Sequence, residues 1–288
     1  MELCRRRLLR VGATGAVAAV AGCGSDRSRP GESTSATPDG TTATTSEAVP
    51  LGTTRTVDAR EVALTGPTVR DSVFTRPFPD TVGVDGAEGG RYVFVRVETP
   101  AGTGPPPERF ALAGGGDRFR GEVDSSWSDA TLDFGAPYDP DDGTAGHLAF
   151  RVPAPLDAER LRVTADGTAW RLPDRVGERL ARPPPTYELA SADVPDRVAA
   201  GEAFDLAATF ENVADVAGDL RCAFVVSGAG FPCCPSRPRT EAIGPGETGT
   251  VRATFGDADG TVPESGEVDA RLRWSDGSRE YGVAVDTA

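Results

Sequence analysis

The chain has 288 residues and a formal net charge of −14, a length that suggests about two domains. It contains no lysine and no glutamine, so arginine supplies all of its strongly basic side chains. An acidic surface of this kind repels nucleic acid and anionic membranes, and we therefore expect no nucleic-acid partner.

Residues 1–22 have the layout of an export signal. A basic start is followed by a weakly apolar run of 11 small residues, Val11–Ala21, which is shorter than the roughly 20 residues that a membrane-spanning helix needs. Arg5 and Arg6, with two apolar residues shortly after them, resemble the twin-arginine export motif. Cys4 departs from that motif, which usually has Ser or Thr there. The resemblance implies export of a chain that is already folded.

The four residues that end at Cys23, Val20-Ala21-Gly22-Cys23, resemble the lipobox of exported lipoproteins. In that family the signal is cut before the cysteine and its thiol carries lipid. The resemblance therefore implies a cell-membrane protein, lipid-anchored through Cys23 and facing outward. The alternative is a signal that is cut elsewhere, with Cys23 incidental.

Removal of residues 1–22, which carry four arginines and one acid, would leave a net charge of −17. The acidic, lysine-free composition resembles that of proteins from salt-loving archaea, where salt screens the repulsion among carboxylates. An ordinary acidic secreted protein is the alternative. We expect a halophilic protein.

Residues 23–50 read as a lipidated cysteine and a disordered tether. Ser33–Ser46 is rich in Ser and Thr and has no large apolar side chain, so it cannot bury enough surface to fold. Residues 51–173 then alternate between strand-sized runs and turns. Tyr92 and Phe94 fall on the opposite face of one run from Val93, Val95 and Val97, and Ala165-Asp166-Gly167 predicts a hairpin.

Residues 174–186 predict a short helix, with Val176 and Leu180 on one face, and then a stiff polyproline hinge. Residues 187–288 alternate more clearly, and strands of that spacing over about 100 residues predict an immunoglobulin-type β-sandwich. The predicted fold class is thus all-β, with two immunoglobulin-like β-sandwich domains after a disordered Ser/Thr-rich linker.

Family resemblances support both domains. Gly201-Glu202-Ala203-Phe204, Gly244-Pro245-Gly246-Glu247 and Leu272-Arg273-Trp274 resemble the cell-adhesion-related immunoglobulin-like domain of bacterial and archaeal surface proteins. Residues 49–172 resemble an immunoglobulin-like domain of unknown function from exported lipoproteins, most clearly at residues 91–97. These resemblances imply a fold but no catalytic residues, because sandwiches of this kind host many roles.

Cys222, Cys233 and Cys234 form the one cysteine constellation of the mature chain that could carry chemistry. A disulfide from Cys222 to either loop cysteine suits an exported compartment and would add roughly 3 kcal/mol. A soft-metal site of three thiolates, a vicinal Cys233–Cys234 disulfide and unmodified thiols are the alternatives.

Other candidate features favour structural roles. Asp139-Pro140-Asp141-Asp142-Gly143 and Asp257-Ala258-Asp259-Gly260 fit solvated turns better than calcium loops. His147 has no catalytic partner pattern. Trp170 and Trp274 fall in strands and are expected in the core, whereas Trp127 lies in a polar loop and could be an exposed contact.

The expected function is therefore that of a non-enzymatic, lipid-anchored cell-surface protein with a binding, adhesion or scaffolding role. We expect no catalytic residues, no bound metal and no cofactor. The membrane is the expected partner through the lipid on Cys23, and a surface protein or glycan is a possible second partner. The alternative is a metal- or redox-handling envelope lipoprotein that uses Cys222, Cys233 and Cys234.

Overall fold

β-Strands make up most of the fold, so the prediction of an all-β chain is confirmed. The computed structural model describes residues 47–286 apart from 79–80, 101–102, 129–130, 142–143, 229–230, 232–233, 257–261 and 263–264. The predicted export signal with Arg5 and Arg6, the lipidation site Cys23 and the tether up to residue 46 lie outside the described residues. Within the described part, none of the helical structure has the length and apolarity needed to cross a membrane.

The described residues belong to one compact unit, in which we distinguish an N-terminal half (residues 47–186) and a C-terminal half (residues 187–286). The strands of the N-terminal half are β1 (Val49–Pro50), β2 (Arg55–Val57), β3 (Arg60–Arg70), β4 (Ser72–Phe78), β5 (Thr81–Gly86), β6 (Gly90–Glu98), β7 (Ala111–Gly114), β8 (Asp117–Arg120), β9 (Ala145–Pro153), β10 (Arg162–Ala165) and β11 (Thr168–Arg171). They are followed by one short helix, α1 (Asp174–Leu180).

The C-terminal half continues with eight strands among its described residues. These strands are β12 (Tyr187–Asp193), β13 (Arg197–Ala199), β14 (Phe204–Asn212), β15 (Gly218–Gly228), β16 (Ser236–Ile243), β17 (Thr248–Phe255), β18 (Gly266–Trp274) and β19 (Gly277–Asp286).

In the N-terminal half, the sheets β2-β3-β6-β9 and β1-β11-β10-β7-β8 both contribute to one hydrophobic core. Val93, Val95 and Val97 of β6 point into this core, as their alternation predicts. The first strand, Val49–Pro50, pairs in parallel with β11. The tether that was predicted to run to residue 50 therefore gives way to sheet structure at Val49, because these two residues find a strand edge to pair with.

Strand β6 is also buried on its other face, where Tyr92 and Phe94 join a smaller apolar cluster. Trp127 belongs to this cluster and is only 4% exposed, so the prediction of an exposed Trp127 is wrong. Its ring centroid lies 5.9 Å from that of Tyr92 and 5.5 Å from that of Phe94. Although its neighbours in sequence are polar, the buried side chain of Trp127 attaches its loop to the sheet.

Local signals in the N-terminal half are confirmed. β10 and β11 pair antiparallel across a turn in which Asp166 and Gly167 have φ angles of 44° and 81°, the left-handed conformations that a tight hairpin turn requires. Helix α1 buries Val176 and Leu180, which lie one turn apart on the same face.

In the C-terminal half, the sheets β12-β14-β17 and β13-β19-β18-β15-β16 share a single core. Alternate apolar residues of β14, β15, β17 and β18 contribute to it, and Trp274 packs at its margin. Alternation of apolar residues thus fixes which face of each strand is buried, because successive side chains point to opposite sides of a sheet.

Candidate functional site

The antiparallel hairpin β4–β5 of the N-terminal half contacts β15, β16 and β18 of the C-terminal half. Strand β15 is consequently buried on both faces. Leu220, Cys222 and Phe224 point into the core of the C-terminal half. Arg221, Ala223 and Val225 occupy the opposite face and are nevertheless almost fully buried. The two halves therefore meet along the outer face of this sheet.

Close backbone approach holds the hairpin against the C-terminal half. The backbone N–H of Val82 donates a 2.8 Å hydrogen bond to Ser236 Oγ. At the other end of β5, a Cβ atom on Gly86 would lie 3.2 Å from the carbonyl oxygen of Ser275 and 3.3 Å from its Cβ. A side chain at position 86 would therefore push the hairpin away from the turn that contains Ser275.

A charged contact adds to this junction. Arg221 is 4% exposed, and its Nη2 lies 3.3 Å from Asp133 Oδ2 of the N-terminal half. Arg70 Nη2 lies 3.2 Å from Asp133 Oδ1, so one carboxylate lies between two guanidinium groups. Arg221 also stands over the ring of Phe74, 6.0 Å from its centroid. Asp133 is itself about half exposed, so its carboxylate keeps part of its hydration.

The base of the hairpin is held by a polar network around Asp85. Asp85 Oδ2 accepts hydrogen bonds from Tyr92 Oη at 2.8 Å and from Arg151 Nη2 at 2.9 Å. Arg151 Nε donates to Glu122 Oε1 at 2.8 Å. Burial and the Asp85 carboxylate raise the pKa of Tyr92 above its usual range, so its hydroxyl remains a donor. The network fixes β5 to the sheet of the N-terminal half.

A second network holds the segment that leads from α1 to the C-terminal half. Arg91 and Asp71 form an ion pair of 2.5 Å between Nε and Oδ1, and their side chains are 3% and 9% exposed. Arg91 also donates hydrogen bonds to the carbonyl oxygens of Arg179, Arg182 and Pro183. Pro183 is the first residue of the polyproline stretch that the sequence predicts as a hinge. Its carbonyl oxygen is thus held by the buried guanidinium of Arg91.

The hairpin and the C-terminal sheet border a cleft of about 310 Å³, which we call the hairpin cleft. Phe78, next to the tip of the hairpin, stands at its rim and is 68% exposed. Among the described residues, Phe78 and Val213 are the large hydrophobic side chains left exposed. The lining consists of Pro77, Phe78, Thr81, Val225, Ser227, Cys234, Asp269, Ala270, Arg271, Arg273 and Glu280.

The structure places Cys222 and Cys234 on different sides of the C-terminal sheet. Cys222 is buried in the core, where desolvation raises its pKa to about 12, whereas Cys234 lines the hairpin cleft. Both are free thiols. Cys222 pairs with Arg239, and Val225 pairs with Ser236.

Cys234 therefore lies more than three strand positions, or about 10 Å, from Cys222. This distance exceeds the ~7 Å between Cα atoms that a disulfide can bridge. The predicted pairing of Cys222 with Cys234 is consequently not found, and Cys233 lies outside the described residues. In the part of the chain that the structure describes, no three potential ligands from His, Cys, Asp and Glu come together as a metal site.

His147 is buried in β9, with its Nδ1 3.2 Å from the carbonyl oxygen of Ala136. Its ring packs edge-on against Phe134 at 4.7 Å, and burial lowers its pKa. Its environment is that of a core residue.

In the first acidic turn, the backbone N–H of Asp141 donates to Asp139 Oδ1 at 2.9 Å, a local turn contact. The second acidic turn, residues 257–260, lies outside the described residues.

The sequence alone did not indicate the junction between the two halves or the hairpin cleft within it. Arg221, Ala223 and Val225 alternate with core residues and so read as a solvent-facing side of β15. A weak signal was present, because Ala223 and Val225 are apolar at positions where a solvated face would carry polar residues.

Comparisons with known proteins give no family. No protein-family model matches the sequence, and no match appears among curated proteins. Solved structures with partial likeness include a β-glucosidase from Listeria innocua in complex with glucose (18% identity, TM-score 0.31) and a β-D-glucoside glucohydrolase from Trichoderma reesei (14% identity, TM-score 0.30). Each comparison covers 36% of this chain. The chain spans 16% and 19% of the length of those proteins, and likeness at this level carries no argument about function.

Proposed function

We propose that this protein is a lipid-anchored cell-surface binding protein, built of two immunoglobulin-like β-sandwich domains and without enzymatic activity. The main support for the proposal is the hairpin cleft. It is lined by residues of both halves, and the side chain of Phe78 is exposed at its rim. Aromatic side chains are preferred contacts at binding surfaces. Binding, adhesion or scaffolding at the envelope requires such a surface and no catalytic group.

The surroundings of the single histidine support a non-enzymatic role. His147 contacts Ala136 and Phe134 in the core, whereas a catalytic histidine base must stand beside a nucleophilic hydroxyl or thiol. The acidic, lysine-free composition supports a halophilic setting for the same protein.

Attachment through Cys23 is tested by membrane fractionation. The Cys23→Ala variant should leave the membrane fraction, while Cys4→Ala, which changes a residue of the predicted signal, should remain there. Continued membrane association of Cys23→Ala would refute lipid anchoring. Export by the twin-arginine route is tested separately: Arg5 and Arg6 replaced together by Lys should block export, and normal export would remove that route.

Metal or redox handling by the cysteines is the second candidate, and free thiols at Cys222 and Cys234 are its support. The placement of Cys222 in the core and Cys234 in the cleft favours the binding role. Metal analysis of protein purified without chelator distinguishes the two. Stoichiometric copper or zinc would favour the metal-handling candidate, whereas we expect none.

A further inference from the structure

The hairpin cleft contains two arginines with different electrostatic situations. Arg271 Nη2 forms an ion pair with Glu280, which also lines the cleft. Arg273 is half-buried and has no ion pair or side-chain hydrogen bond with any residue that the structure describes. Because Arg273 lines the cleft and pairs with no carboxylate of the described residues, its guanidinium is available there to an external anion.

The chemistry of Arg273 limits the chemical class of ligand that the cleft can bind. A guanidinium group is a planar fork of N–H donors that matches a carboxylate and remains charged at any physiological pH. Nη1 of Arg273 lies next to β5, 4.0 Å from the position that a Cβ atom of Gly83 would occupy. The guanidinium therefore lies at the boundary between the two halves.

Besides Arg273, the cleft offers an apolar contact. Phe78 pairs with Thr81 at the tip of the hairpin, and Gly83 lies two residues further along β5. Two strand residues span about 7 Å, so the backbone of Phe78 lies roughly that far along the hairpin from Gly83, the residue that Arg273 faces. Pro77 and Val225 extend the apolar lining.

The acidic residues of the lining set the orientation of the ligand. Glu280 is already paired with Arg271. Asp269 lies four residues before Arg273 on β18, which corresponds to about 13 Å along the strand. An anionic group is therefore favoured beside Arg273 and repelled beside Asp269. The volume of about 310 Å³ lies at the lower end of the range for small-molecule sites.

We infer that the hairpin cleft binds a small carboxylate that carries an aromatic or apolar group. The carboxylate pairs with Arg273, and the apolar group packs against Phe78. This inference rests on the proposed binding function, and it specifies the chemical class of the ligand for the same cleft.

Two probes that differ in charge test the inference on the purified full chain. 4-Phenylbutyrate has the required carboxylate and ring, and 4-phenylbutanamide has the same shape without the charge. Titrations followed by NMR or calorimetry at fixed salt should give the acid at least about a tenfold lower Kd than the amide, because a charge-assisted hydrogen bond is lost in the amide. Equal binding of the two, or no binding of the acid at millimolar concentration, would overturn the inference.

Variants assign the binding to the cleft. Arg273→Gln should weaken binding of the acid about tenfold and bring it to the level of the amide. Arg279→Gln is the matched control, because Arg279 is exposed on β19 and does not line the cleft. Phe78→Ser, at a residue exposed enough to tolerate the change, should weaken both probes. Unchanged acid binding in folded Arg273→Gln protein would contradict the assignment.

A third probe identifies the source of the carboxylate. N-acetyl-Gly-Phe presents the same two groups as the end of a peptide, and tighter binding than 4-phenylbutyrate would indicate a peptide C-terminus. Tighter binding of 4-phenylbutyrate would indicate a free acid, and either result supports the stated chemistry if Arg273→Gln removes it. Loss of ligand binding leaves the membrane test on Cys23 unaffected, so the two proposals fail separately.

Discussion

Replacement of Arg91 by Met tests whether its buried guanidinium stabilises the fold where the two halves join. The substitution keeps an unbranched side chain but removes the charge that pairs with Asp71 and the donors that reach three carbonyl oxygens. Asp71 would retain Arg179, at 3.0 Å, whose side chain is 43% exposed. The remaining carboxylate would thus be buried with one partially hydrated partner.

The expected loss follows from the burial of the pair. Removal of one partner from a buried ion pair costs about 3–5 kcal/mol, a large part of the roughly 5–15 kcal/mol that stabilises a typical folded unit. For a unit of this size each kcal/mol shifts Tm by about 2–4 °C, so Tm should fall by roughly 6–20 °C. Thermal unfolding followed by circular dichroism measures the shift.

The matched control is Arg60→Met, which removes an ion pair with Asp58 whose side chains are 39% and 42% exposed. An exposed pair of this kind contributes about 0–1 kcal/mol, so its Tm should change by less than about 4 °C. Asp71→Leu combined with Arg91→Met should recover part of the loss, because no buried charge is then left without its partner. A Tm shift for Arg91→Met no larger than that of the control would refute the reasoning.

Four further predictions concern separate features of the molecule. Trp127→Ala should cost about 3–5 kcal/mol in urea unfolding, since the ring is buried; a loss below 1 kcal/mol would contradict its anchoring role. In reduced protein at pH 8, Cys234 should react with a thiol reagent well before Cys222, whose pKa of about 12 leaves it almost wholly protonated, and equal rates would contradict this. The pKa of His147 is lowered in the folded state, so the unfolded chain takes up a proton first and stability should fall as pH drops below about 6.5; His147→Phe should reduce this dependence between pH 7.5 and 5.5. Transfer from molar to low salt should lower Tm, because carboxylate repulsion is then unscreened, and an unchanged Tm would refute the halophilic interpretation.

Much of the fold was predictable because local patterns carry it. The alternation of β6 separates Val93 and Val95 from Tyr92 and Phe94, and the structure buries these sets in two different clusters. The turn at Asp166-Gly167 predicts its hairpin for a comparable local reason, since glycine readily adopts the left-handed backbone. Such signals depend only on residues that are close in sequence.

The junction between the two halves, with its hairpin cleft, was not predictable in the same way. Alternation indicates which face of a strand is apolar, but it does not indicate what covers the other face. Arg221 is buried because Phe74 and Asp133, far away in sequence, come to lie against it. Trp127 was misjudged for a related reason, since its polar neighbours predict a solvated loop, whereas the burial of one ring determines where the loop lies.

The lipid that is proposed for Cys23 is central to the proposed function, because that modification would place the protein on the outer face of the membrane. Mass spectrometry of the N-terminal peptide from membranes of the native host tests it directly. We predict a peptide that begins at Cys23 and carries the added mass of a lipid. A peptide in which Gly22 still precedes an unmodified Cys23 would contradict it.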